Sequence, residues 1–103
     1  RKNFSYYIPD FVIGKDSYEV FLSFNSKKGL DEVLLRLKKG QDYYASFLYL
    51  EDELKKKYGS PSASKNSIEE WITKDTSISL NYVPQIFVSV IYKSRNSAAG
   101  GRL

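Results

Sequence analysis

Three stretches of this chain bring together side chains that could do chemistry: Lys55-Lys56-Lys57, Glu69-Glu70 beside Trp71, and the serines Ser60, Ser62, Ser64 and Ser67 around Lys65. A lysine triplet near tyrosines can contact phosphate, but Glu51, Asp52 and Glu53 stand four residues before Lys55, Lys56 and Lys57. That spacing places acid before base on one helical surface, which reads as a solvated helix end. A carboxylate pair working on a glycosidic bond needs its two groups ~5–10 Å apart across a cleft. Neighbouring residues of a strand point to opposite faces, so Glu69 and Glu70 are not expected to share a site. The serine-lysine stretch lacks S-x-x-K and a nucleophile elbow, and it reads as a polar loop.

Histidine and cysteine are both absent. The usual general base, the usual nitrogen and sulfur metal ligands, the thiol nucleophile and the disulfide are therefore missing together. No calcium loop, no P-loop and no G-x-G-x-x-G occurs, so no catalytic residue, metal or cofactor is expected. The nine tyrosines could stack bases or sugars. Most fall on the inward phase of an element, where the ring packs into a core and the hydroxyl reaches its rim.

A net charge of +4 suggests an acidic partner until its position is examined. Arg1, Lys2, Lys93, Arg95 and Arg102 carry the excess at the two ends, leaving 11 basic against 12 acidic residues from Phe4 to Tyr92. A basic excess in the ends is a weak footprint for nucleic acid. The body is near neutral.

The elements that must position these residues follow from periodicity. Phe4–Ile13 is aromatic and β-branched but interrupted by Pro9, as an edge strand or two short pieces would be. Tyr18–Phe24 alternates strictly, as a half-buried strand does. Leu30–Leu37 fits either a helical stripe or a strand; eight residues between glycine-containing turns favour a strand. Residues 42–58 form the clear helix, with Asp42 as cap, Tyr43, Phe47, Leu50 and Leu54 on one face, and Gly59 and Pro61 as stop signals. Three strands follow, Ile68–Thr73, Thr76–Val83 and Ile86–Tyr92, as an antiparallel meander.

The expected architecture is α+β: an antiparallel sheet of five to six strands with one helix across one face. Residues 1–93 form a single domain, and 94–103 read as an unstructured tail that need not be native. One helix can cover only one face of a sheet. Phe21, Leu34, Phe87 and Ile91 fall on the phase opposite the core, so they are expected to meet on the other face and to bind something. Trp71, Phe47, Leu50 and Leu54 are expected to share the main core.

The order LKKKYGSP, EEWITKDTSISLNY, VSVIY resembles small bacterial domains of exported or lipid-anchored proteins. These share a helix ending in L-x-x-x-Y-G-x-P, a strand bearing a Trp and a T-x-I-x-L-x-Y strand, here across Tyr18 to Tyr92. The resemblance implies a periplasmic or envelope-anchored location and a binding role, with no catalytic residue. The chain opens on Arg1, which reads as a processed or truncated product. Two functions are weighed: a non-enzymatic binding or assembly module, working through a protein partner or a second copy, and a weak nucleic-acid-binding domain using lysines and sheet aromatics.

Overall fold

The computed structural model describes residues 5–25 and 29–95. Strands β1 (Tyr6–Ile13), β2 (Asp16–Phe24) and β3 (Leu30–Leu37) precede the helix α1 (Tyr43–Tyr58). Strands β4 (Ala63–Lys65), β5 (Ile68–Ile72), β6 (Thr76–Val83) and β7 (Phe87–Ser94) follow it. All join one sheet in the order β1-β2-β3-β7-β6-β5-β4, antiparallel throughout. The fold is thus two meanders, one on each side of the helix in sequence. They meet where β7, the last strand, pairs with β3.

Seven strands replace the expected five to six. The added strand is β4, in the stretch that reads as a polar loop. Ala63–Lys65 has no apolar alternation because it is an exposed edge and needs none. Its place is fixed by backbone pairing to β5, a turn through Asn66 at φ 54, and Ser62, whose Oγ accepts the Ile72 N–H. Leu30–Leu37 is a strand.

The helix begins and ends where its signals stand. The Asp42 side chain accepts the Ala45 N–H at 3.0 Å. At the other end Gly59, with φ 85, takes a backbone conformation open to glycine and returns its N–H to the Lys55 carbonyl. The Trp71 indole N–H donates to the Gly59 carbonyl at 2.8 Å, fastening the helix end to β5.

The core lies between α1 and one face of the sheet. Tyr18, Ile78, Leu80 and Val88 are completely enclosed there, and Trp71, Leu50 and Leu54 are buried with them. Phe47 packs against this cluster from its margin. Ser46, which sequence reasoning passes over, is also buried, its hydroxyl donating to Asp16 at 2.6 Å.

Both sheet edges are short of pairing sites. On β1 the register shifts between Ile8 and Phe11, around Pro9, which bends the edge and removes a donor. The opposite edge is the three-residue β4. β7 runs to Ser94 and Arg95 bonds the Asp75 carbonyl, so structure continues past the expected start of the tail. Residues 96–103 lie outside the described residues.

Candidate functional site

The face of the sheet turned away from α1 can be read row by row from the strand register. Phe21 pairs with Leu34, and Leu34 with Ile91, so the three stand side by side across β2, β3 and β7. Tyr7 of β1 extends the row, its ring centroid 5.0 Å from that of Phe21. Alternation dictates this outcome: the residues before and after each of them point into the core. Beyond Ile91 the row continues into Ser79 and Glu70, and the apolar character ends.

Polar rows flank it. On one side Glu19, Arg36, Ser89 and Asn81 are in register; on the other, Ser23, Glu32, Lys93 and Ser77. The Arg36 guanidinium donates to Glu19 from Nε at 3.1 Å and from a terminal nitrogen at 3.0 Å, and it lies 5.1 Å from the centre of the Phe21 ring. The Tyr7 hydroxyl donates to the same carboxylate at 2.6 Å. Those bonds, from Tyr7 first and Arg36 second, hold the Glu19 carboxyl below the usual carboxylate range. In return the bond to Glu19 pushes the Tyr7 phenol up. Toward β6, Asn81 bonds Ser79 and Ser89, forming a polar margin.

Phe87 is on the same face but not in the row. It stands four residues along β7 from Ile91, with Ser89 between them, at the end of the sheet where the β6–β7 turn closes. There an open groove of about 500 Å³ is lined by Leu34, Arg36, Lys39, Tyr43, Ile86 and Phe87. The turn that forms one wall has Gln85 at φ 60, a left-handed conformation costly for a side chain with a Cβ. Thus the structure brings Phe21, Leu34 and Ile91 together and sets Phe87 beside them.

The other candidate residues take structural places. Lys55 pairs with Glu51 at 3.5 Å, while Lys56 meets both Asp52 at 3.1 Å and Glu53 at 3.5 Å. Lys57 lies over the Tyr58 ring. Two of the three lysines are therefore paired within the helix, and Glu53 meets Lys56 rather than the expected Lys57. Glu69 and Glu70 occupy opposite faces, as strand alternation requires. Glu70 pairs in register with Ser79 on the open face, and Glu69 with core Leu80. Burial, and then the neighbouring carboxylate of Glu51, raise the Glu69 pKa.

The tyrosines divide. Tyr18 is enclosed in the core, where burial raises its phenol pKa, and Tyr43, Tyr58, Tyr82 and Tyr92 pack at the core margin. Tyr6, Tyr7, Tyr44 and Tyr49 are exposed. Sequence reasoning missed Tyr7, Glu19 and Arg36 as parts of the open face. Their signal was the i, i+2 spacing of Glu19 to Phe21 and of Leu34 to Arg36, which puts each charge beside an apolar neighbour.

Among the described residues no group of three or more acidic side chains is placed to hold a metal ion, and no helix is long and apolar enough to cross a membrane. No protein-family model, curated protein or solved structure matches the chain.

Proposed function

We propose that this domain is a non-enzymatic binding or assembly module that works through the sheet face opposite its helix. One observation carries the reading: the contiguous row Phe21–Leu34–Ile91 across β2, β3 and β7, on the face of the sheet turned away from α1. A row of large apolar side chains with a polar margin is the arrangement of a protein contact, apolar at its centre and polar at its rim. The envelope location belongs to the same proposal and rests on the sequence resemblance. The nucleic-acid alternative is disfavoured because Lys55 and Lys56 are committed to acidic partners within the helix.

The test is site-specific photocrosslinking in the native cell. A benzophenone side chain at position 91 should form a discrete protein adduct. The same group at position 72, on the open face but outside the apolar row, should not. Ile72 is a fair control because it is 46% exposed. Equal labelling at both positions, or none at 91 in folded protein, would overturn the reading. Oligonucleotide binding that weakens steeply with salt would favour the alternative.

A further inference from the structure

Away from the open face, a groove of about 420 Å³ lies where the start of α1 meets the β6–β7 turn. Tyr43, Tyr44, Tyr82, Pro84 and Gln85 line it together with Asp42. Its volume falls in the range of small-molecule sites. Phe47 stacks on Tyr82 with 4.6 Å between ring centroids, which fixes that ring from the core margin. The Tyr44 ring, three residues earlier on the helix, stands 6.1 Å from Tyr82 and is inclined to it by 42°. Two rings set in this way leave an open angle between them. Tyr44 is 57% exposed, so the core does not account for it.

Charge decides what such a groove takes. Among the described residues that line it Asp42 alone is charged, and Lys39 belongs to an adjoining groove that shares only Tyr43 with this one. The Gln41 amide, which also lines it, is engaged with the backbone of Ser17 and Lys38, so it has no donor left for a sugar. The helix start carries about half a positive charge, and the Asp42 carboxylate sets a full negative charge against it. Tyrosine ring faces are negative as well, and they attract an ammonium group within ~6 Å. The turn points the same way. The Ile86 N–H donates to the Val83 carbonyl at 2.9 Å, closing a turn with Pro84 and Gln85 at its corners. Gln85 has φ 60 there, where glycine is the ordinary residue. A side chain kept at a strained position on a groove is one mark of a functional site.

We propose that this groove binds an organic cation, a methylated ammonium group held against the Tyr44 and Tyr82 rings, with Asp42 as its counter-charge and Gln85 at the rim. The site is separate from the apolar row, which lies on the other face of the sheet, and it gives the domain a small-molecule ligand. An open groove with two rings and one carboxylate supports weak binding, with a dissociation constant of about a millimolar.

Choline titrated into the full chain, followed by the ring proton resonances of Tyr44 and Tyr82, is the experiment. Both sets of resonances should shift and saturate. The uncharged isostere of choline, in which carbon replaces the nitrogen, has the shape without the charge and should bind about tenfold more weakly. Asn caps a helix as well as Asp does, so D42N should stay folded and weaken choline binding by about tenfold. Y44L should weaken it by about two- to fivefold while the melting temperature holds. Q85G should raise the melting temperature, by relieving the strained φ, and yet weaken choline binding.

Choline that leaves both rings unshifted well above the millimolar range overturns the proposal, as does an isostere that binds as tightly as choline. Glucose that shifts the two rings to saturation where choline does not would make this a sugar site and overturn it too. Unchanged affinity in folded D42N removes the counter-charge and with it the cation. Unchanged affinity in Q85G overturns the part given to the strained turn. None of these results bears on the crosslink at position 91, so this site and the apolar row stand or fall separately.

Discussion

The rows Val20–Leu35–Val90–Leu80 and Phe21–Leu34–Ile91–Ser79 are built from adjacent residues of the same four strands, yet they have opposite fates. The first lies under α1 and is almost closed to water, at 5, 8, 1 and 0% exposure. The second lies on the face turned away from α1 and is only half-buried. Strand propensity cannot distinguish them, because both belong to the same backbone. What differs is supply: sixteen helical residues form a single apolar face, and it is spent on one side of the sheet. Large apolar residues on the other side add little to folding, so their presence there calls for another explanation.

The largest expected difference between the faces is in packing. Leu80→Ala empties space in a fully enclosed site and should cost about 2–5 kcal/mol. Leu34→Ala, on the open row, should cost about 1 kcal/mol or less. Urea denaturation of the two variants at one low protein concentration compares them. Equal losses would mean that the sheet has two cores, and the contrast would collapse.

A smaller effect separates helix docking from sheet pairing. Trp71→Phe keeps a large ring in the core but removes the N–H that holds the Gly59 carbonyl. A loss of about 1–2 kcal/mol is expected, a buried hydrogen bond plus a modest volume change. Hydrogen exchange locates it: amides of the last helical turn should lose protection while those of β3 and β7 do not. Uniform loss across the sheet would show that the helix end and the sheet open as one unit.

The faces should also answer pH in opposite senses. Glu69, on the covered side, has its pKa raised by burial and by Glu51. A raised carboxyl binds its proton more tightly folded than unfolded. Its contribution is therefore present in acid and lost as pH climbs through the folded value. Glu19, on the open side, is lowered by Tyr7 and Arg36. Its contribution is present above the ordinary carboxylate range and lost as pH falls. Carbon-detected titration of the two carboxyls should place Glu69 above the ordinary 4.5 and Glu19 below it. Glu69→Gln should raise stability at neutral pH and flatten its rise toward acid. Titration of Glu69 at the ordinary value would show that neither burial nor Glu51 acts on its carboxyl.

Much of this architecture is legible in the sequence because it rests on local rules. The alternation in Tyr18–Phe24 and Thr76–Val83, and the helix bounded by Asp42 and Gly59, each follow from a few neighbouring residues. The outward phase of Phe21, Leu34 and Ile91 follows from the same alternation. Strand order does not, since nothing local to Leu34 or Ile91 declares that β3 and β7 are neighbours. That pairing spans more than half the chain, and it turns three scattered outward residues into a row. Edge strand β4 escaped notice for a related reason: Ala63, Ser64 and Lys65 contribute backbone bonds, which leave no mark on residue type. Tyr7, Glu19 and Arg36 entered the site only because three strands lie side by side.

The smallest expected effect falls on Arg36, and it tests what the open face does in the absence of a partner. Its pair with Glu19 is solvent-exposed, and such pairs contribute about 0–1 kcal/mol. Arg36→Ala should therefore scarcely change the unfolding midpoint. Yet the guanidinium spreads over the Phe21 ring, and removing it exposes one face of that ring to water. Binding of an anilinonaphthalene sulfonate dye to the folded monomer should rise in the variant, while its circular dichroism and midpoint hold. If dye binding is unchanged, Phe21 is shielded without the guanidinium and the arginine is there for its charge. If it rises, Arg36 has two roles, covering the Phe21 ring and pairing with Glu19.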